Sequence, residues 1–147
     1  MINLTQIKEA LKNIDAVLAI EEGFIAYSQG RAVIPPVAEL LFQDPPGDVH
    51  IKYGYIKGEE YFVIKIASGF YLNPKFNLPV GNGLMLLFKQ KTGELVSILL
   101  DEGYLTNVRT AAAGAVVAKY LAPKKVTCIG IIGAGTQGRM QLEYLKP

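Results

Sequence analysis

Three glycines near the end of the chain constrain its fold more than any other feature. Gly133, Gly135 and Gly138 form the pattern G-x-G-x-x-G. In this pattern the first glycine allows a tight strand-to-helix turn, the second lets the backbone approach a pyrophosphate, and the third lets the helix pack closely on its strand. The β-branched run Val126–Ile132 precedes the glycines, and the helix-compatible run Met140–Leu145 follows them. The sequence therefore predicts the first strand, turn and helix of a dinucleotide-binding Rossmann domain.

The same motif predicts how a cofactor would bind. The phosphates are expected at the free N–H groups and positive dipole end of a helix that begins near Thr136. The acidic residue that accepts the ribose hydroxyls is expected about 20 residues after the glycines, which places it beyond Pro147. Because that position also decides between NAD and NADP, the cofactor is predicted as NAD or NADP. We therefore expect the chain to be the N-terminal portion of a longer protein and to be inactive alone.

Composition and charge argue against two classes of partner. The net charge is +2, and 15 Lys and Arg are scattered among 13 Asp and Glu, so no nucleic-acid partner is expected. No run reaches the roughly 18 apolar residues of a membrane span, and the polar N-terminus lacks a signal-peptide core. The single Cys128 lies in the predicted strand, where a buried, inert thiol is expected. These features favour a cytoplasmic protein, and the 50% hydrophobic content indicates apolar surface that contacts further segments or a partner subunit.

The region before the glycines is predicted to contain helices and a meander of antiparallel strands. The predicted helices are Thr5–Lys12, Asp15–Ser28 (capped by Asp15) and Leu105–Leu121, and the predicted strands are Val49–Ile56, Tyr61–Ala67, Leu84–Lys89 and Leu95–Leu100. Prolines at 35, 36, 45 and 46 predict a loop, and Gly69–Gly83 is expected to be irregular. The small residues of Ala111–Ala115 permit close approach to another helix or to a ligand.

Three segments occur in a specific order along the chain: VIKIASGFYLNP, then TGELVSILLDEGYLTNVRTAAAGAVVAKYLAP, then IGIIGAGTQGRMQLEYL. With them, most of residues 29–147 resembles the ornithine cyclodeaminase/μ-crystallin family. The resemblance implies an α/β protein: an α+β substrate-binding and dimerising domain with a mixed, largely antiparallel sheet (1–123), then the truncated start of a Rossmann domain (124–147). It also implies a homodimer that acts on small amino or imino acids with NAD or NADP.

The resemblance assigns roles to individual residues. Lys65 and Arg109 match the positions that bind the substrate carboxylate, and a guanidinium can make two parallel hydrogen bonds to such a group. Thr110 is either a helix residue or a contact to the cofactor phosphates. Lys52 is placed near the substrate's side-chain end, although a solvated strand lysine has nearly equal weight. The further cofactor-binding positions are Gly133, Gly135, Thr136, Gln137 and Gly138. No metal ligand is predicted, and the family's catalytic aspartate is expected beyond residue 147.

Three departures from the family pattern bear on the reaction. Val37 stands where many members carry a basic residue, for which Arg31 is a candidate substitute, and Val80 replaces a threonine whose hydroxyl faces the cofactor. Lys52 stands where ornithine-cyclising members have glutamate. A lysine there would repel a second ammonium by about 4 kcal/mol at 4 Å with an effective dielectric near 20. An alanine-dehydrogenase-like or ketimine-reductase-like activity is therefore favoured, with ornithine cyclodeaminase and a non-catalytic μ-crystallin-like binding protein as alternatives.

Overall fold

A computed structural model describes residues 1–146, which contain one predominantly antiparallel sheet and four α-helices. The strands are β1 (Ile2–Asn3), β2 (Ala32–Val33), β3 (Ala38–Phe42), β4 (Gly47–Ile56), β5 (Tyr61–Phe70), β6 (Gly81–Lys89) and β7 (Leu95–Leu100). The helices are α1 (Leu4–Leu11), α2 (Ala16–Ser28), α3 (Tyr104–Leu121) and α4 (Thr136–Leu145), with a short 3-10 helix at Asn73–Phe76.

The sheet has the order β1-β7-β6-β5-β4-β2, and β3 also pairs with β4. All neighbouring strands are antiparallel except β1 and β7, which are parallel. The mixed α/β class and the largely antiparallel sheet were both predicted and are confirmed. Both predicted hairpins, β4–β5 and β6–β7, also form.

The two N-terminal helices begin where their capping residues predict. Asn3 and Gln6 form a reciprocal capping box at the start of α1. The Asp15 carboxylate accepts a hydrogen bond of 2.9 Å from the Leu18 N–H at the start of α2, as its position in the sequence predicted.

The segment with the paired prolines does not form only a loop. It contains β3, which runs along β4 with Ala38 opposite Ile51 and Phe42 opposite Gly47. The sequence also predicts too much irregular structure in Gly69–Gly83, because β5 extends to Phe70 and β6 begins at Gly81. In each case pairing with a neighbouring strand overrides a local composition that disfavours strands.

The prediction of a strand over Val126–Ile132 is wrong for the structure described, which has no strand assigned there. A parallel strand exists only through hydrogen bonds to neighbours, and residues 1–146 supply none to this segment. Ile132 is fully exposed. Cys128 is exposed as well, which corrects the prediction of a buried thiol.

Helix α3 follows β7 along the chain and packs against both α2 and α4. Its buried face consists of small and β-branched residues, namely Val108, Ala111, Ala112, Ala115 and Val116. Gly114 gives α4 room, since a Cβ atom there would lie 2.0 Å from Oε1 of Gln141. The small residues of α3 thus allow close approach of another helix, which was one of the two predicted uses.

None of the helices within residues 1–146 combines the length and the apolar character needed to cross a bilayer.

Candidate active site

Three cationic residues predicted from the sequence converge where the sheet meets the start of α3. Lys52 on β4 lies directly opposite Lys65 on β5, so the two side chains project side by side from one face of the sheet. Lys65 Nζ donates a hydrogen bond of 3.3 Å to Oγ1 of Thr106, in the first turn of α3. Arg109 follows Thr106 by three residues and is therefore its neighbour on the helix surface. We call Lys52, Lys65 and Arg109 the cation cluster.

The cluster is electrostatically unusual because its charges are not neutralised by ion pairs. Within residues 1–146, no carboxylate lies within salt-bridge distance of any of its three members. Burial lowers the pKa of the half-buried Lys65 ammonium, and the charges of Arg109 and Lys52 lower this pKa further. On the side of Lys65 away from Lys52, the register partner is the apolar Met85. Such a site attracts an anion.

The negative charge of Asp101 acts in the opposite direction and raises the pKa of Lys65, and sequence reasoning missed this residue. Only 1% of its surface is exposed. One carboxylate oxygen accepts a hydrogen bond of 2.8 Å from the Leu105 N–H, so Asp101 holds the first turn of α3 in place. An aspartate four residues before Leu105, where the sequence predicts the helix to begin, was the available signal, because carboxylates commonly stabilise helix N-termini.

The glycine turn, residues 133–138, has the geometry that a pyrophosphate site requires. Gly133 has a φ of +98°, a conformation that glycine adopts without strain. A Cβ at Gly138 would lie 2.4 Å from the carbonyl oxygen of Gly133, so only glycine allows this close contact. At Gly135 a Cβ would meet nothing within 4 Å. Space for a ligand therefore borders the N-terminus of α4, and the residues present fit a dinucleotide phosphate group.

Two glutamines attach α4 to α3. Gln137 Nε2 donates to Oδ1 of Asn107 at 2.9 Å, and Gln141 Nε2 donates to the carbonyl oxygen of Thr110 at 3.2 Å. Oε1 of Gln137 is buried and has no hydrogen-bond partner among the described residues. The hydrogen bonds of the two glutamines place the glycine turn beside the first turn of α3, which contacts Lys65.

Gln137 and Thr110, both predicted to contact the cofactor, form hydrogen bonds within the protein. The Gln137 amide N–H₂ is engaged by Asn107. The Thr110 hydroxyl donates to the carbonyl oxygen of Thr106 at 2.7 Å, which is the helix-residue interpretation. Its acceptor lone pairs remain available, so a contact to the cofactor stays a prediction.

A cleft of about 510 Å³ opens between the sheet region and the glycine turn. Its lining combines residues from both sides, namely Pro79, Val80, Gly81, Glu102, Gly103, Thr106, Asn107 and Thr136. Thr106 is the residue that Lys65 contacts, and Thr136 begins α4. The cleft is therefore bordered on one side by the residue that Lys65 contacts and on the other by the first residue of α4. Within residues 1–146, no group of His, Cys, Asp or Glu is arranged to hold a metal ion.

Comparison with known proteins identifies the family of the chain. The model of the ornithine cyclodeaminase/mu-crystallin family matches residues 1–147. The chain belongs to this family. An uncharacterized cyclodeaminase of Sinorhizobium fredii is 47% identical over 134 residues, which are 90% of this chain and 40% of that protein. The chain thus spans about two fifths of the length of this relative.

Two solved structures that resemble the chain contain a nicotinamide cofactor. An archaeal alanine dehydrogenase dimer with bound NAD has a TM-score of 0.86 and 34% identity, over 98% of this chain and 43% of that one. The iminosuccinate reductase of Paracoccus denitrificans in complex with NAD+ has a TM-score of 0.79 and 32% identity, over 88% of this chain and 40% of that one.

Proposed function

We propose that the full-length protein containing this chain transfers hydride between NAD or NADP and Cα of a small amino or imino acid. The observation that carries the proposal is a cleft lined both by Thr106, which accepts the Lys65 hydrogen bond, and by Thr136, which begins α4 directly after the glycines Gly133 and Gly135. Family membership supports it, as do the cofactors bound to the related alanine dehydrogenase and iminosuccinate reductase.

The residues of this chain would bind and orient the reactants. Lys65 and Arg109 would hold the substrate carboxylate, with the Lys65 ammonium directed by its hydrogen bond to Thr106. The backbone at Gly133, Gly135 and Gly138 would receive the pyrophosphate, close to the N–H groups at the start of α4. The nicotinamide would supply or accept the hydride when bound. The group that moves the proton is predicted beyond residue 147.

The remaining parts of the proposal concern organisation. We place residues 1–123 in a substrate-binding and dimerising domain and residues 124–147 at the start of the cofactor domain. A homodimer is supported by the dimeric alanine dehydrogenase and by the exposed apolar residues of β3, among them Leu40 and Leu41. We also propose a cytoplasmic location, and no role for nucleic acid or membrane partners.

Steady-state kinetics of the full-length protein test this function. Reduction of NAD+ or NADP+ with a panel of amino acids, and the reverse reaction with 2-oxo acids and ammonium, should show turnover. Lys91, in the exposed β6–β7 turn, provides the matched control: Lys91→Met should keep this turnover, whereas Lys65→Met should lose most of it. Absence of hydride transfer with the whole panel, while either cofactor binds, would favour a μ-crystallin-like binding protein. Conversion of ornithine to proline and ammonia would favour the cyclodeaminase.

A further inference from the structure

Asn107, the fourth residue of α3, contacts the cofactor side of the cleft from the helix that carries the substrate side. Its Oδ1 accepts a hydrogen bond of 2.9 Å from Nε2 of Gln137, and its carbonyl oxygen accepts one of 3.3 Å from the same nitrogen. Thr106, directly before it, accepts the Lys65 hydrogen bond. Arg109 follows two residues later. One turn of α3 is therefore connected to both sides of the cleft.

The side-chain contact, rather than helix stability, accounts for an asparagine at this position. The Asn107 N–H donates to the Gly103 carbonyl oxygen at 3.3 Å, so the residue lies within the hydrogen-bonded helix, where asparagine is less favourable than alanine. Among the described residues, all side-chain hydrogen bonds of Gln137 go to Asn107, and Oε1 of Gln137 is buried without a partner. Asn107 therefore sets the orientation of the Gln137 carboxamide.

The contact acts on the glycine turn itself. Gln137 is a residue of this turn, whereas Gln141, which donates to the Thr110 carbonyl oxygen at 3.2 Å, lies one helical turn further along α4. The segment before the turn, 126–132, has no strand partner among the described residues. Asn107 therefore fixes the turn relative to the residues proposed to hold the substrate. Hydride transfer depends on such placement, because an error of about 1 Å between reactants can lower a rate about a hundredfold.

We infer that Asn107 is a positioning residue, whose hydrogen bond to Gln137 holds the glycine turn, and with it the cofactor, in register with the substrate carboxylate site. This inference rests on the proposed function. In this role Asn107 touches neither the substrate Cα nor the nicotinamide. Its loss should slow hydride transfer more than it weakens the binding of either reactant. The two ligands should also bind cooperatively, because whichever binds first fixes the turn against α3 for the second.

Initial-rate kinetics of the full-length protein, with the amino acid that it turns over fastest, provide the first test. Asn107→Ala should lower kcat about tenfold and leave the KM of each reactant within about threefold of the wild type, because each ligand keeps its own contacts while their alignment is lost. Asn107→Asp retains the acceptor oxygen and should recover most of kcat. Asn13→Ala, in the exposed turn between α1 and α2, is the matched control and should leave all constants unchanged.

Loss of folded protein would also lower kcat, so active sites are counted by the stoichiometry of NADH binding and kcat is expressed per site. Three results would each overturn the inference: an unchanged kcat per site in Asn107→Ala, an Asn107→Asp protein as slow as Asn107→Ala, or a loss confined to the KM of one reactant.

The second test needs no turnover. The dissociation constant of NADH is measured by nicotinamide fluorescence, with and without saturating propionate as an unreactive carboxylate. In the wild type, propionate should tighten NADH binding about fivefold or more, and in Asn107→Ala this factor should fall below about twofold. A wild-type protein that binds the two ligands independently, or an equal factor in Asn107→Ala, would contradict the inference and leave the proposed function intact. If the wild type fails to bind NADH or fails to bind propionate, the proposed function itself is wrong.

Discussion

The two sides of the cleft differ in what holds them in place. The cation cluster is built on β4, β5 and the first turn of α3, where strand register and the Asp101 hydrogen bond fix each backbone position. The glycine turn follows a segment, 126–132, that has no strand partner within residues 1–146, and α4 packs on α3 with hydrogen bonds from Gln137 and Gln141. In our proposal the first side binds the substrate through its positive charges, and the second binds the cofactor through backbone that the glycines leave accessible. Substitutions in the cation cluster should therefore weaken substrate binding, and substitutions in the glycine turn should weaken cofactor binding.

The largest expected effect lies on the charged side. In the full-length protein, Lys65→Met or Arg109→Ala should lower kcat/KM, because each removes a charge-assisted contact to the substrate carboxylate. The loss should correspond to about 2–4 kcal/mol of transition-state stabilisation. Both losses should fall on all amino-acid substrates alike, and the KM for the cofactor should change little. Initial-rate kinetics with both reactants varied measure this. Equal losses of affinity for cofactor and for substrate would contradict the proposal that the two sides of the cleft bind different ligands.

The corresponding test on the glycine side compares three alanine substitutions. Gly138→Ala should weaken cofactor binding about tenfold or more, because its Cβ would lie 2.4 Å from the Gly133 carbonyl oxygen and the turn must shift. Gly135→Ala should also weaken binding, through contact with the phosphates. Gly23→Ala, in α2, is the control, since its Cβ would meet nothing within 4 Å and it lies outside the cofactor domain. Calorimetric titration of the full-length protein with NADH would measure all three, and a Gly138→Ala protein that binds like Gly23→Ala would refute the expectation.

A charge reversal at Lys52 should shift specificity by a smaller amount. Lys52→Glu would exchange repulsion of a distal ammonium for attraction. We expect the ratio of kcat/KM values for ornithine and alanine to rise about tenfold over wild type. If that ratio stays unchanged, Lys52 is only a solvated strand residue.

The buried charge of Lys65 should lower the free energy of unfolding of the protein. Its pKa in the folded state is lowered by burial and by Arg109 and Lys52, so the protonated form destabilises the fold at neutral pH. This cost is relieved as the pH rises through the folded-state pKa. Lys65→Met should therefore raise Tm by roughly 1–4 °C at pH 7, with a smaller gain near pH 10. Thermal unfolding monitored by circular dichroism at the two pH values tests this, and a Lys65→Met protein with a lower Tm at pH 7 would contradict it.

Glu21 provides a stability test far from the cleft. This buried carboxylate accepts hydrogen bonds from Lys119 at 2.7 and 2.9 Å and from the Tyr120 hydroxyl. The Lys119 hydrogen bond is the main cause of its lowered pKa. A lowered carboxylate pKa stabilises the fold above the unfolded-state value and is lost as the pH falls through the folded-state value. Glu21→Gln should therefore lower Tm at pH 7, and the difference from wild type should shrink at pH 3–4. A constant difference would mean that the Glu21 charge does not contribute.

The sequence predicted elements whose signals are local. Asp15 marks the start of α2, and a glycine marks the turn of each hairpin. It failed where long-range pairing decides the outcome: all five residues of β3 are exposed, so no alternation of buried and exposed positions signalled a strand. The strand expected over Val126–Ile132 has a strong local pattern but no partner among the described residues.

The candidate site shows the same distinction. Lys65 and Arg109 were identified by the family motif, and the fold brings Lys65 to Thr106, which lies one helical turn from Arg109. Asp101 escaped notice because an aspartate at a strand end is usually a solvated turn residue. Only the three-dimensional arrangement shows that it is 1% exposed and acts on Lys65.

The most direct test of the account is binding of a carboxylate to the full-length protein already saturated with NADH, followed by the fluorescence of the nicotinamide. Succinate should change this fluorescence saturably in the wild type. In Lys65→Met and Arg109→Ala the response should require at least about tenfold more succinate, while NADH itself binds with unchanged affinity. If both variants bind succinate as the wild type does, the cation cluster is not the substrate site and the central claim is wrong.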